Sequence, residues 1–191
     1  MLNQSRSAID LLLADSLKEL ARIHPIEKIT IREITDKAGV IRPTFYNHFQ
    51  DKYELIEWIV DQEIYQPMVS YFDKGLTEEG MVSALDAIQA DDLFYTRVSI
   101  VDGQNSLDVI LRNMIKKMIL RYADLQEMQS HLPYSWMTVD QVADAYAQSV
   151  GYAIIVWIHA GMKAPKDELV KTVIFLMTHS PYDVVNGKIT T

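Results

Sequence analysis

The 191 residues include 18 Lys+Arg and 26 Asp+Glu, a net charge of −8, and 49% are hydrophobic, enough to bury a sizeable core as one domain or two small ones. With no cysteine, disulfides, thiolate metal sites and cysteine nucleophiles are all excluded. No basic stub precedes an apolar run at the N-terminus, and the longest apolar stretch, VGYAIIVWI at 150–158, is far short of the roughly 20 residues that span a bilayer, so a cytoplasmic protein without a membrane partner is expected.

In chain order, Ile9, Leu12, Leu13, Leu17 and Leu20 recur at three- and four-residue steps, which predicts an amphipathic helix over about 7–23, ended by Pro25. Thr30 and Glu33 form a capping box opening a short helix with Ile31, Ile34 and Ala38 inward, closed at Gly39. A tight turn over 39–41 leads to a second short helix with Pro43 in its first turn, where a missing N–H costs nothing. Two short helices joined by a glycine-bearing turn have the shape of a helix-turn-helix. Asp51 and Glu54 open a further helix running towards Pro67.

The remainder also reads as helical. Short helices are expected at about 79–89 and 92–101, then a turn at DGQN (102–105). Ser106 caps a long helix with Leu107, Ile110, Leu111, Met114, Met118, Tyr122 and Leu125 along one side, and HLP (131–133) ends the connection after it. Thr138 and Gln141 form a second capping box, opening a helix to Ala160 closed by Gly161, and a last helix runs from about Pro165 to Thr178, before Pro181. The expected fold class is all-α, divided into 1–53 and 54–191.

The short helix after Gly39 has a distinctive outer face. With Phe45 at zero degrees, Phe49 falls near 40° and both point to the core. Opposite them lie Pro43 and Asn47, flanked by Thr44 and Tyr46, with Arg42 and His48 at the margins. A helix of this size fits a DNA major groove about 12 Å wide, where arginine reads guanine, asparagine reads adenine and a threonine methyl packs on thymine. Lys52, at the start of the following helix, suits a phosphate contact. Charge alone does not announce nucleic acid: residues 1–52 carry 8 Lys+Arg against 7 Asp+Glu, and residues 53–191 carry 10 against 19.

The stretch ITIREITDKAGVIRPTFYNHFQDKYELIEWI (29–59), with the amphipathic helix before it, resembles the DNA-binding head of the TetR family of bacterial transcriptional regulators over roughly 7–60. The likeness rests on the capped helix, the Ala38-Gly39-Val40 turn, the Thr44-x-Tyr46-x-x-Phe49 core and Lys52 before an acidic-apolar helix. FYNHFQDKYELIEWI also resembles a subgroup with regulators of dihydroxyacetone kinase operons. The resemblance implies that Arg42, Pro43, Thr44, Tyr46, Asn47 and His48 occupy recognition-helix positions, that Lys52 contacts the DNA backbone, and that Thr30 meets phosphate. Ile41 departs from the Ser or Thr that many members place there, which implies a less firmly fixed helix start or an apolar staple in its place.

In that family the C-terminal part carries a dimer interface and an effector pocket. Val150, Ala153, Ile154, Trp157 and Ile158 form one stripe, joined by Val170, Val173, Ile174, Phe175 and Met177 in the last helix; with Tyr152, Ile155 and Val156 the penultimate helix is apolar nearly all round. Such helices are buried on every side, in a monomer core or against a twin, and a homodimer reading a palindromic operator is expected. Trp58, Tyr65, Met68, Phe94, Tyr95, Met114, Met118, Tyr122, Trp136 and Tyr146 are the candidates for lining an effector cavity, against the plainer alternative of closed core.

Enzyme chemistry finds no constellation. The five histidines lack metal-motif spacing, Glu78-Glu79 and Asp91-Asp92 read as solvated helix starts, and no glycine-rich phosphate loop is present, so no cofactor or metal is expected. The expected function is sequence-specific DNA-binding regulation, with repression released by a small-molecule effector. The alternative is a non-enzymatic adaptor of the same fold, acting through a protein partner.

Overall fold

The computed structural model describes residues 8–103 and 105–178, and among these the chain is helical with no strand. Helix α1 (Ala8–Ala21) carries Leu13 and Leu17 into the core at 0% exposure, whereas Leu12, counted in the same stripe from spacing, is 49% exposed. Asp10, Ala14 and Ala21 take the inward positions beside them, because the buried face is set by where α2 and α4 lie. After a 3-10 turn (Ile26–Lys28), Thr30 caps α2 (Ile31–Ala38) and Gly39 ends it in the left-handed region at φ 70°. Helix α3 (Arg42–His48) starts at Ile41, which makes no side-chain cap bond and is 69% exposed. That exposure rules out an apolar staple: main-chain hydrogen bonding, Thr44 N–H to the Ile41 carbonyl, holds the first turn.

Helix α4 (Lys52–Val60), capped by Asp51 on the N–H groups of Tyr53 and Glu54, does not stop near Pro67. It passes through a π-helical stretch (Asp61–Tyr65) into α5 (Gln66–Phe72). Proline has no N–H to return and its ring crowds the carbonyl four residues earlier; a widened turn just before it accommodates both. One rod therefore joins the α1–α3 head to the remaining helices.

Helix α6 (Thr77–Ala90) folds back on α5, and a Cβ at Gly80 would lie 2.9 Å from the Phe72 ring, so glycine sets this close approach. Then come α7 (Asp92–Ser99) and α8 (Leu107–Tyr122), the latter capped by Ser106 as expected. A short α9 (Leu125–Ser130), capped by Asp124, was not expected; it moves Leu125 off the α8 stripe and leaves it 42% exposed. Helix α10 (Val139–His159) begins at the Thr138–Gln141 capping box and packs along α8. Gly161 (φ 75°) turns the chain into α11 (Lys166–Thr178), which lies on α6 with Lys166 paired to Asp86. One buried cluster runs from Leu13 in α1 to Val170 in α11. No helix among the described residues is long and apolar enough to cross a membrane.

Candidate DNA-binding face and effector cavity

Phe45 and Phe49 hold α3 against the head, 0% and 3% exposed, with ring centroids 5.9 Å apart. Their burial turns Arg42, Pro43, Tyr46 and Asn47 outward, with Thr44 half-buried at the edge. Arg42 Nη2 donates to the Tyr46 hydroxyl at 3.2 Å, and its guanidinium lies 5.9 Å from that ring, so the two side chains brace each other along one turn. This surface is short, polar and free of large apolar side chains apart from Tyr46 and the neighbouring Ile41.

Three expected DNA contacts are engaged within the protein. His48 turns inward: its Nδ1 lies 2.7 Å from Oδ1 of Asp10, a carboxylate on α1 that is almost fully buried. Lys52 Nζ donates to the carbonyls of Ile26, Glu27 and Ile29 at 2.8, 3.0 and 2.8 Å, committing all three ammonium protons to the end of the 3-10 turn. Burial outweighs the nearby Glu27 and Asp51 and lowers its pKa from the ordinary lysine value. Thr30 donates its N–H and hydroxyl to Glu33 Oε2 (2.8 and 2.7 Å) and accepts from Glu33 N–H (3.2 Å). A carboxylate therefore already occupies this helix start, and its bonds from Thr30 hold the Glu33 pKa below its ordinary value. His48, Lys52 and Thr30 thus fix the frame that presents Arg42, Pro43, Thr44, Tyr46 and Asn47.

Below the head, α5, α6, α8, α10 and α11 surround a cavity of about 490 Å³. Of the ten residues proposed from sequence, Met68, Met114, Met118 and Tyr122 line it. The other six do not. Trp58 packs edge-on against Phe49, ring centroids 6.0 Å apart, where head meets body. Tyr65 lies under Lys117, with Nζ 3.9 Å from its ring centroid, and with Met114 borders a separate cleft of about 110 Å³. Phe94 and Tyr95 are fully buried beside α1, where the Tyr95 hydroxyl donates to Glu63 Oε2 at 3.1 Å; burial, then the Glu63 charge, pushes that phenol well above its ordinary pKa. Trp136, 70% exposed, stacks on Tyr134 in the α9–α10 connection, and Tyr146 is exposed on α10. Spacing placed these aromatics on helices but carried no information about which helix faces which.

The sequence pattern described as "Bacterial regulatory proteins, tetR family" matches residues 14–59, and that described as "Transcriptional regulator C-terminal region" matches residues 77–179. The chain belongs to the TetR family. A TetR-family relative is the HTH-type dhaKLM operon transcriptional activator DhaS of Lactococcus lactis subsp. lactis (strain IL1403), 24% identical over 137 residues, covering 66% of this chain and 73% of the relative. Among solved structures, the dihydroxyacetone kinase operon activator DhaS superposes with a TM-score of 0.56 at 18% identity, over 89% of this chain and 94% of that one. The Thermus thermophilus FadR, a TetR-family transcriptional repressor in complex with lauroyl-CoA, gives 0.58 at 12% identity, over 95% and 96%. The TetR-family architecture of an N-terminal helix-turn-helix and a helical C-terminal region is thereby shown for this chain.

Within this TetR fold the stripe expected to form a dimer is used inside the subunit. Trp157, Ile158, Val170 and Val173 are buried, and Val150, Ile154, Val170, Val173 and Ile174 line the cavity. Ala153 is half-buried against the core, and Trp157 Nε1 donates to the Ala164 carbonyl at 3.0 Å. Phe175 is half-buried, and the side chain of Met177 lies outside the described set. The outward face of α10 includes instead Ala145, Ser149, Tyr152 and Val156, with Tyr152 68% exposed. Cavity residues missed from sequence include Phe72, Met81, Leu85 and Ile88. Their only signal was ordinary amphipathic spacing in α5 and α6, which a closed core shares.

Glu78 and Glu79 stand exposed in the first turn of α6 and Asp92 in that of α7, as expected, whereas Asp91 differs. Asp91 is no solvated helix start: its carboxylate meets Lys18 at 3.2 Å and Arg22 at 3.8 Å. Glu78 lines the cavity.

Proposed function

We propose that this TetR-family regulator binds a palindromic operator as a homodimer through Arg42, Pro43, Thr44, Tyr46 and Asn47, and that an effector in the α5–α11 cavity releases it, relieving repression. The observation carrying this reading is that one continuous rod, α4 through α5, bears the recognition unit at one end and cavity residues Ile64, Met68 and Phe72 at the other. A ligand that fits the cavity better in one placement of that rod shifts the distance between the two recognition helices of a dimer. Residues 1–53 would then act as the reader and 54–191 as the sensor and dimerising part, with the outward face of α10 at the twofold axis.

Activation is the second reading, favoured by the 24% identity to the activator DhaS. Genomic DNA fragments retained by the purified protein at near-physiological salt decide the first point: an enriched palindrome, with affinity falling steeply with salt, is expected of an operator binder. No enrichment with or without cell metabolites sinks the operator reading and favours an adaptor. A promoter fusion to the retained fragment then gives the sign, since deleting the gene raises output under repression and lowers it under activation.

A further inference from the structure

The chemistry of the cavity wall selects its occupant. Among the described residues, four lining side chains are polar: Thr77, Glu78, Tyr122 and Thr178. They come from the start of α6 and the ends of α8 and α11, so they gather at one end, while Ile64, Ile88, Leu111, Met114 and Leu169 close the rest. No lysine, arginine or histidine lines the cavity among the described residues. Two of the polar groups at that end already have partners. Tyr122 hydroxyl lies 2.5 Å from Asp73 Oδ1, and Thr178 hydroxyl lies 2.9 Å from the Ile174 carbonyl. Arg121, next to Tyr122, meets Asp73 at 3.5 Å.

Resting on the effector reading above, we propose that this cavity takes an apolar, hydrocarbon-dominated effector without a negative charge. An anion entering it meets no cation among the described lining residues, and a small polyol leaves most of its hydroxyls facing methyl and methylene groups; both lose their hydration without replacement. An uncharged apolar molecule loses little hydration and gains burial along the whole wall. At about 490 Å³ the space lies within the ~300–1,000 Å³ of small-molecule sites.

The test uses three probes on the full chain: 1-decanol, decanoate at pH 7 and glycerol, each titrated against a bound neutral naphthylamine dye. Decanol is expected to displace the dye, with decanoate at least about tenfold weaker and glycerol inactive. Met81→Trp, at a partly buried wall position, and separately Ile115→Phe are expected to weaken decanol by a similar factor with the melting temperature kept. Decanoate equal to or tighter than decanol, glycerol displacing the dye, or decanol binding untouched by both folded variants overturns the proposal. So does the absence of any dye or decanol binding. Operator retention is measured on the same preparation, so a cavity that refuses decanol in a protein that still selects its palindrome sinks this inference alone.

Discussion

Lys18 of α1 places its ammonium 2.5 Å from Glu63 Oε1 in the π-helical stretch, while the same nitrogen lies 3.2 Å from Asp91 Oδ2 at the start of α7. Arg22 adds a longer contact to Asp91, and the buried Tyr95 hydroxyl donates to the second Glu63 oxygen. The Lys18 side chain is 15% exposed, and its ammonium stands 5.3 Å from the Phe94 ring centroid. One lysine thus ties the reading head to the rod and to the body, next to the residue, Ile64, that lines the cavity.

Removing that tie has a defined cost. Lys18→Met is expected to destabilise the protein by about 1.5–3 kcal/mol, the range for hydrogen bonds to charged groups, read as a lower urea midpoint at pH 7. A double-mutant cycle with Glu63→Gln should show coupling of at least about 0.5 kcal/mol, as residues in one network do. Additive effects would mean that the Lys18–Glu63 contact contributes nothing to stability.

On α3, base reading and framing separate by residue. Asn47→Ala and Thr44→Ala are each expected to weaken specific operator binding by about 1–3 kcal/mol while leaving the melting temperature near that of the wild type, because Asn47 is exposed and Thr44 sits half-buried at the edge of that face. His48→Ala is expected to do the reverse, lowering stability by removing the 2.7 Å bond to Asp10. Parallel titrations of operator and of urea distinguish them; an unchanged midpoint for His48→Ala would reject its framing role.

The α2 cap predicts a pH response. Glu33 has its folded pKa lowered from 4.5 by the Thr30 hydroxyl and N–H, so its contribution is present above the unfolded value and is lost as pH falls through the folded one. Between pH 7 and pH 3 the wild type should therefore lose its stability advantage over Glu33→Gln, which can still cap but cannot titrate. Melting curves of both at several pH values check this. A gap that widens on acidification would contradict the assignment.

The α10 face gives the fourth expectation. Tyr152→Asp puts a charge on the outward surface, where the subunit's own packing is untouched. Light scattering should report a dimer for the wild type and a monomer for the variant, with operator affinity reduced. A variant that remains dimeric would place the twofold elsewhere.

Capping boxes at Thr30 and Thr138, the left-handed Gly39, the proline in the first turn of α3 and the inward Phe45–Phe49 pair were all legible in the sequence. They are local: each is settled by residues within about one helical turn, where side chain and main chain meet whatever the rest of the chain does. The outward face of α3 followed, since burying two phenylalanines four residues apart leaves one orientation for the residues between them. What only the tertiary structure decided was which side chains meet across helices. His48 finds Asp10 38 residues away, Lys52 finds three carbonyls before α2, and Asp91 finds Lys18. The α10 stripe shows the limit most clearly: apolar spacing requires that Ile154 and Trp157 be buried but cannot say by what, and the answer is a cavity and this subunit's own core. Hydrophobic burial has no direction of its own, so periodicity marks the buried faces and only the packing of whole helices assigns their partners.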